Sequence, residues 1–491
     1  MSFPKFGHPA LGWIALSPLI LAIAAPAPPR AGRFGFLRGP ASVGLTAGIV
    51  YFGGTLYWLV GTMRTFGGLP IPIAVLACAA LVLVLSLYVA LFAWLLARAF
   101  HRIGPGAVWM APFLWVGCEY LRSWVGGGFP WVLLGYSQAT VLPIAQVASV
   151  GGVYLLSFVV ALVSAAGAWT AVSRARSRWI LSAGAIAAVI AAGAWGALRV
   201  RGGELTREGD TVRVGLVQGN ILQDDKWNPS LALPILNRYL DLSRQALSAG
   251  AQVVIWPESS TPFFLEENPV MAAPIRRLAM ESKTPFVIGS DQIERAQQDR
   301  FYNAAFLVTP DGQTRAVYRK MHLVPFGEYV PLRQLLPFVA PLVEAVSEFS
   351  PGLEPVLLPI GEHKLSVAIC YEVVYPWLMR TFANSGSGLL TTITNDAWYG
   401  TSSAAYQHWE QASLRAIEQG RYLARAANTG ISGIVDPYGR VIMKTRLFET
   451  TVVTGDVRWI TAKTVYATIG DLIAWVSLAV MLAAAFAPRK N

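Results

Sequence analysis

Long apolar runs constrain this chain more than any other feature of its sequence. Six of them, near residues 42–63, 72–97, 106–123, 146–171, 179–197 and 469–487, are long enough to cross a hydrocarbon core, which takes about 20 residues. A shorter run lies near 10–25. Buried core helices of a soluble protein are a poor account of runs this long and this closely spaced. Composition agrees: 54% of the 491 residues are hydrophobic and only 14% are charged, against about 25% charged in an ordinary soluble domain. A conventional soluble globule and a disordered chain are both excluded.

Charge is divided unevenly along the chain. Residues 1–198 carry 11 Lys and Arg but a single acid, Glu119, whereas residues 199–470 carry 26 basic and 26 acidic residues. The net charge of +11 therefore belongs to the apolar ends, which argues against a nucleic-acid surface and for basic loops at a membrane face. The Arg-rich segments alternate: Arg30, Arg33 and Arg38; then Arg98 and Arg102 two spans later; then Arg174, Arg176 and Arg178; then Arg489 and Lys490 after the last span. This alternation places them in the cytoplasm and residues 199–468 on the opposite side. Counting seven spans puts the N-terminus outside as well. An uncut signal peptide is the rival reading of residues 1–30, but Lys5 is its only early basic residue and Pro26, Pro28 and Pro29 do not suit a small-residue cleavage site. Glu119 and Arg122 lie one helical turn apart, either as a paired charge near a helix end or as a contact with a polar lipid head.

Residues 199–468 change character. Strands are predicted at 212–219, 252–256, 285–290, 304–309, 365–370, 389–394 and 432–437. Helices are predicted at 231–247, 270–283 and 405–426, and turns at PDGQ (310–313) and DPYGR (436–440). This alternation gives an α/β layered domain. The expected organisation is about six N-terminal membrane helices in 1–198, the α/β domain in 199–468 and a last membrane helix in 469–491.

Three residues at element ends of this domain carry potential chemistry. Cys370 ends the apolar strand LSVAIC and is the only cysteine in the domain, so no internal disulfide can form there. It is a buried filler or a nucleophile placed where α/β folds put reactive groups. Glu258 follows the apolar strand QVVIW and is a strand-end cap or a base. Lys320 lies in an aromatic, apolar segment and is a snorkelling side chain or one held in a site. The five histidines show no metal-ligand spacing, and neither a P-loop nor a dinucleotide fingerprint is present. No metal or cofactor is called for.

WPES (256–259), YRKMHLVPFGE (318–328), AICYE (368–372) and NDAWYG (395–400) occur in that order. This set resembles the nitrilase (carbon–nitrogen hydrolase) superfamily, which implies an α-β-β-α sandwich and a Glu258–Lys320–Cys370 triad. With the helices on both sides, and with TFGGLP (65–70), GFPWVLLGYSQ (128–138), VQGNILQDDKW (217–227), HLVPFGEYVP (322–331) and NTGISG (428–433), nearly the whole chain is similar to the bacterial apolipoprotein N-acyltransferases. That family typically has eight membrane helices, so the first is expected to lack a counterpart in the seven read here.

The resemblance implies an inner-membrane enzyme with its catalytic domain on the periplasmic side. It would transfer an acyl chain from a phospholipid, typically from the sn-1 position of phosphatidylethanolamine, to the α-amino group of a diacylglyceryl-cysteine at an apolipoprotein N-terminus. Cys370 would carry the acyl group as a thioester, Glu258 would move protons, and Lys320 would stabilise the oxyanion with a backbone N–H such as that of Tyr371. Glu328 and Glu372 would support the site or satisfy buried donors. Tyr371 and Asn303 are further candidates in the site, and Trp227 would be a lid or lipid-contacting residue. Asn395 and Asp396 would shape the pocket, and His322 would be supporting or structural. A membrane-anchored amidase that uses water as acceptor would need the same triad. A lipid transporter with a decayed catalytic domain would not need it.

Overall fold

The computed structural model describes residues 2–25, 39–325, 327–329 and 349–486. Arg30, Arg33, Arg38, Arg489 and Lys490 of the charge pattern, and Phe326, Val330 and Pro331 of HLVPFGEYVP, lie outside the described residues. The chain forms two compact units. One comprises residues 1–64, 70–202 and 464–491, and the other comprises 65–69 and 203–463.

The first unit is helical. Each apolar run contains a helix: Ser17–Ala24, Pro40–Leu56 followed by Trp58–Thr65, Ile71–Ile103, Ala111–Trp124, Ala148–Val172, Arg178–Gly202 and Leu472–Phe486. Among the described residues, three continuous helical stretches are long and apolar enough to cross a membrane. The count is four if the bent pair Pro40–Leu56 and Trp58–Thr65 makes one span, with shorter apolar helices at Pro9–Ala24 and Leu472–Phe486. The longest stretch, Ile71–Gly127, is broken near Gly104, whose φ of 66° and missing side chain end the first helix. Close helix contact depends on small residues, as expected where apolar burial alone does not drive association. A side chain on Gly48 would meet Ser86 Cβ at 2.7 Å.

Glu119 and Arg122 are both 3% exposed, and each holds the segment that follows their helix. Glu119 Oε1 accepts from Trp115 Nε1 (3.0 Å) and the Leu134 N–H (2.6 Å). Arg122 Nη1 donates to the carbonyls of Phe129 (2.7 Å) and Trp131 (2.8 Å). A contact with lipid heads does not describe so buried a pair.

Among the described residues, the second unit is a sandwich of two six-stranded sheets. In chain order the strands are β1 (Thr211–Gln218), β2 (Val253–Ile255), β3 (Phe286–Glu294), β4 (Arg300–Val308), β5 (Thr314–Arg319), β6 (Leu358–Ile360), β7 (His363–Ile369), β8 (Leu389–Thr394), β9 (Leu423–Ala427), β10 (Gly433–Val435), β11 (Val441–Lys444) and β12 (Thr451–Arg458). The sheet orders are β12-β1-β2-β3-β4-β5 and β11-β10-β9-β8-β7-β6. Each has three parallel strands at its centre, β1-β2-β3 and β7-β8-β9, with antiparallel neighbours on both sides.

The period-2 alternation of strands places Phe286 and Ile288 of β3 beside Ala304, Phe306 and Val308 of β4 on the outer face. The helices Ala232–Ser248 and Pro269–Ser282 cover that face through Ile235, Leu236, Tyr239, Ile275 and Ala279, spaced three and four residues apart along each helix. Helices Pro376–Asn384 and Ser403–Gln419 pack on the second sheet. The helix expected over 405–426 stops at Gln419, because Gly420 takes a left-handed φ of 62°, and Leu423–Ala427 forms the buried strand β9 instead.

Candidate active site

The parallel strands aim their carboxyl ends at one edge of the sandwich, where α/β folds gather functional groups. Glu258 follows β2, Lys320 follows β5, Cys370 follows β7 and Asn395 follows β8. Glu258 is drawn close to β3 by Gly289: a Cβ there would run into the Pro257 carbonyl and come within 2.8 Å of Glu258 Cα.

Glu258, Lys320, Glu328 and Asn303 form one buried network. Lys320 Nζ donates to Glu328 Oε1 at 2.8 Å and lies 3.5 Å from Glu258 Oε1. Asn303 Nδ2 bridges the two carboxylates, at 2.7 Å from Glu258 Oε1 and 3.0 Å from Glu328 Oε1. The Asn395 N–H donates to Glu258 Oε2 at 2.7 Å, and the Val324 N–H donates to Glu328 Oε2 at 2.8 Å. Burial opposes the Lys320 charge, but Glu328, Glu258 and Cys370 outweigh it and raise the ammonium above its ordinary value. Lys320 is therefore a fixed cation.

Cys370 is 6% exposed and has a φ of 54°, in the left-handed region that a non-glycine residue rarely adopts. It opens the tight helical turn Cys370–Val374. Burial, then the Glu258 charge, push the thiol above its ordinary range, while Lys320 acts in the opposite sense. The group is a thiol that needs a base, and Glu258 and Lys320 both act on it electrostatically.

Glu372 points elsewhere. Its Oε1 accepts from Tyr318 Oη (2.7 Å) and from the Met321 and His322 N–H groups (2.7 and 3.1 Å), and its Oε2 accepts from the Ile369 N–H (2.7 Å). It ties the segment after Lys320 to the strand before Cys370. Tyr371 is buried, with its ring 5.3 Å from that of Tyr375 and 6.2 Å from that of His322. Trp227 is 45% exposed, its ring 6.5 Å from that of Phe264.

Lys226 and Gln223 on one side, and His408 and Arg425 beside the expected pocket residue Asp396 on the other, were not singled out by the sequence. Lys226, next to Trp227, is buried, and its Nζ donates to the Glu258 carbonyl at 3.1 Å. Gln223 Oε1 accepts from Asn395 Nδ2 at 2.7 Å. Behind Cys370 lie Asp396, His408 and Arg425, all fully buried. Burial raises the cost of the Asp396 charge, but Arg425 and His408 hold its carboxyl well below the usual carboxylate range.

Comparison with known proteins agrees with this architecture. Residues 1–166 match the family described as "Apolipoprotein N-acyltransferase N-terminal domain", and residues 213–465 match "Carbon-nitrogen hydrolase". An apolipoprotein N-acyltransferase of Geobacter metallireducens is 39% identical, over 100% of this chain and 93% of the relative. One from Shewanella oneidensis is 36% identical, over 91% and 87%. Among solved structures, Saccharomyces cerevisiae Nit3, of the nitrilase superfamily, covers 50% of this chain and 90% of its own at 20% identity, with a TM-score of 0.40. Matched along its whole length at such identity, and carrying a carbon–nitrogen hydrolase domain, the chain belongs to the apolipoprotein N-acyltransferase family.

Proposed function

We propose that this protein moves an acyl chain from a membrane phospholipid, from the sn-1 position of phosphatidylethanolamine, to the free α-amino group of the S-diacylglyceryl-cysteine that begins a diacylated apolipoprotein. Cys370 is the nucleophile, Glu258 the base and Lys320 the oxyanion partner. The observation that carries this reading is the buried Lys320, held beside Glu258 and acting on Cys370 at one edge of the sandwich.

Glu258 takes the Sγ proton as the thiolate attacks the donor ester carbonyl. The tetrahedral oxyanion forms against Lys320 and the Tyr371 N–H. Collapse breaks the ester bond, and Glu258 returns the proton to the departing lysophospholipid alkoxide. The acceptor amine then attacks the Cys370 thioester and gives a proton to Glu258. The amide forms, and the thiolate leaves and regains that proton. Two substrates that share one nucleophile give ping-pong kinetics.

Glu328 and Asn303 keep Lys320 and Glu258 apart yet in contact, Glu372 fixes the backbone on either side of the site, and Trp227 meets lipid. Residues 199–468 are the catalytic domain. The flanking helices hold it at a bacterial inner membrane, and the alternation of Arg-rich segments puts it on the periplasmic side.

Intact-mass measurement on the purified protein with phosphatidylethanolamine and no acceptor tests this reading. A gain of one acyl chain is expected on the wild type and not on Cys370→Ala, with discharge by a diacylated lipopeptide. Equally fast discharge by water would favour a hydrolase. The absence of any adduct would remove the thioester.

A further inference from the structure

Asp396, His408 and Arg425 stand behind the nucleophile with no exposed side-chain surface, and the proposed mechanism leaves them without a part. Arg425 Nη2 donates to Asp396 Oδ2 at 2.8 Å and lies 3.0 Å from His408 Nδ1. Asp396 Oδ1 accepts from Thr394 Oγ1 at 2.9 Å and lies 3.1 Å from His408 Nδ1. The other ring nitrogen, His408 Nε2, lies 3.1 Å from the carbonyl oxygen of Cys370.

One proton on this ring can be placed from its neighbours. A carbonyl only accepts, so Nε2 must carry a proton to bond with Cys370. Nδ1 faces both a guanidinium, which only donates, and the Asp396 carboxylate, which only accepts, and the Nε2–H bond to Cys370 holds whether or not Nδ1 carries a proton. Burial, then the Arg425 charge, hold His408 below the usual imidazole range, in the same direction. Asp396 anchors Arg425, and Gly430 lets the NTGISG loop close over that carboxylate, where a Cβ would collide with its Oδ2.

The Cys370 carbonyl is one end of a planar peptide unit whose other end is the Tyr371 N–H. In a trans peptide these two groups point in opposite directions, so whatever grips one aims the other. Cys370 has a left-handed φ, which a non-glycine residue keeps only when its surroundings hold it there. We propose that His408 is a positioning residue: its bond to the Cys370 carbonyl fixes this peptide plane and directs the Tyr371 N–H toward the oxyanion of acyl transfer. The inference rests on the acyl-enzyme reading above.

Two reactions of the same sulfur separate this role from a merely structural one. Acylation by phosphatidylethanolamine passes through an oxyanion, whereas alkylation by iodoacetamide is a direct displacement that forms none. Both rates can be followed at Cys370 by peptide mass mapping of the full-length protein in mixed micelles. His408→Leu is expected to slow acylation about 10- to 100-fold, less than the outright loss of an oxyanion donor, and to leave alkylation within about threefold. His408→Gln places an amide N–H near the Nε2 position and should recover most of the acylation. His408→Asn reaches only the Nδ1 position and should not. Should His408→Leu fail to fold, the ordering of Gln above Asn carries the same test. Acylation unchanged in the variants, or both rates falling together, would overturn the role of His408 alone, provided the wild type acylates. A wild type that alkylates but takes no acyl group would sink the acyl-enzyme reading and this inference with it.

Discussion

Lys320 Nζ lies 2.8 Å from Glu328 Oε1, with side-chain exposures of 1% and 11%. The same ammonium is 3.5 Å from Glu258 Oε1, so its shorter contact is with Glu328, the carboxylate to which the proposed mechanism gives no proton transfer. Glu328 thus anchors the cation and leaves Glu258 less tightly engaged. Glu328→Gln removes that anchor without changing volume. Lys320 should then close on Glu258 and tie up the base, and turnover should fall by at least about 100-fold, the lower range for losing a general base. Lys320→Met should be worse for the fold, since it leaves two buried carboxylates without a cation, at a cost of about 3–5 kcal/mol. Thermal unfolding in detergent beside acyl-transfer assays would separate the two effects. A fully active Glu328→Gln would contradict this division of labour.

Asp291 gives a pH dependence with a definite sign. It is buried within β3, where its Oδ1 accepts from Ser259 Oγ at 2.6 Å. Burial pushes its carboxyl up to about 6, against the opposing pull of Ser259 and Lys226. In the unfolded chain the group titrates near about 3.9. Between these values the native state binds more protons than the unfolded state, so stability falls as pH rises. The contribution is complete below about pH 4 and gone above about pH 6. Asp291→Asn should flatten this part of the profile, gaining on the order of 2–3 kcal/mol relative to wild type at neutral pH. Denaturant unfolding at pH 4, 5, 6 and 7 would check it, and parallel profiles for the two proteins would count against it.

The left-handed backbone at Cys370 makes a prediction that is independent of catalysis. Cys370→Ala removes the thiol but keeps the Cβ that makes a φ of 54° costly. Cys370→Gly removes both, at the price of a more flexible unfolded chain. Relief of a left-handed residue is worth about 1–2 kcal/mol, and the glycine penalty offsets about half of it. Cys370→Gly should therefore match or exceed Cys370→Ala in stability, by up to about 1 kcal/mol. An alanine variant clearly more stable than the glycine variant would mean that the strained turn is not retained.

Much of this site is legible in the sequence because it sits at the ends of apolar strands. QVVIW runs into Glu258 and LSVAIC runs into Cys370, and each strand forms close to its expected bounds. Strand β9 was hidden because LARAA is built of good helix formers, and only the left-handed Gly420 separates it from the preceding helix. That error also concealed Arg425, which looks like a surface charge on a helix but is a buried partner of Asp396. His408 was passed over for lack of metal-ligand spacing. Its significance lies in a contact with a backbone carbonyl 38 positions away, which no local pattern encodes. Strands β5, β6, β11 and β12 were not predicted either; β11 is exposed at every position and offers no buried alternation to recognise.

Glu119 provides the corresponding test in the helical unit. Its Oε1 is the acceptor for both the Trp115 indole N–H and the Leu134 backbone N–H, and all three groups are buried. Removing the carboxylate leaves two buried donors unsatisfied, at about 1–3 kcal/mol each. Glu119→Gln keeps a carbonyl oxygen that one of them can use. Glu119→Ala should therefore lower stability in detergent by about 2–5 kcal/mol, and Glu119→Gln by less than half of that. The loss should be local in origin, because Arg122 keeps its own bonds to the Phe129 and Trp131 carbonyls. Protease accessibility of residues 125–134 should accordingly rise in the alanine variant before global unfolding. Wild-type stability and protection in Glu119→Ala would show that the carboxylate does not hold this segment.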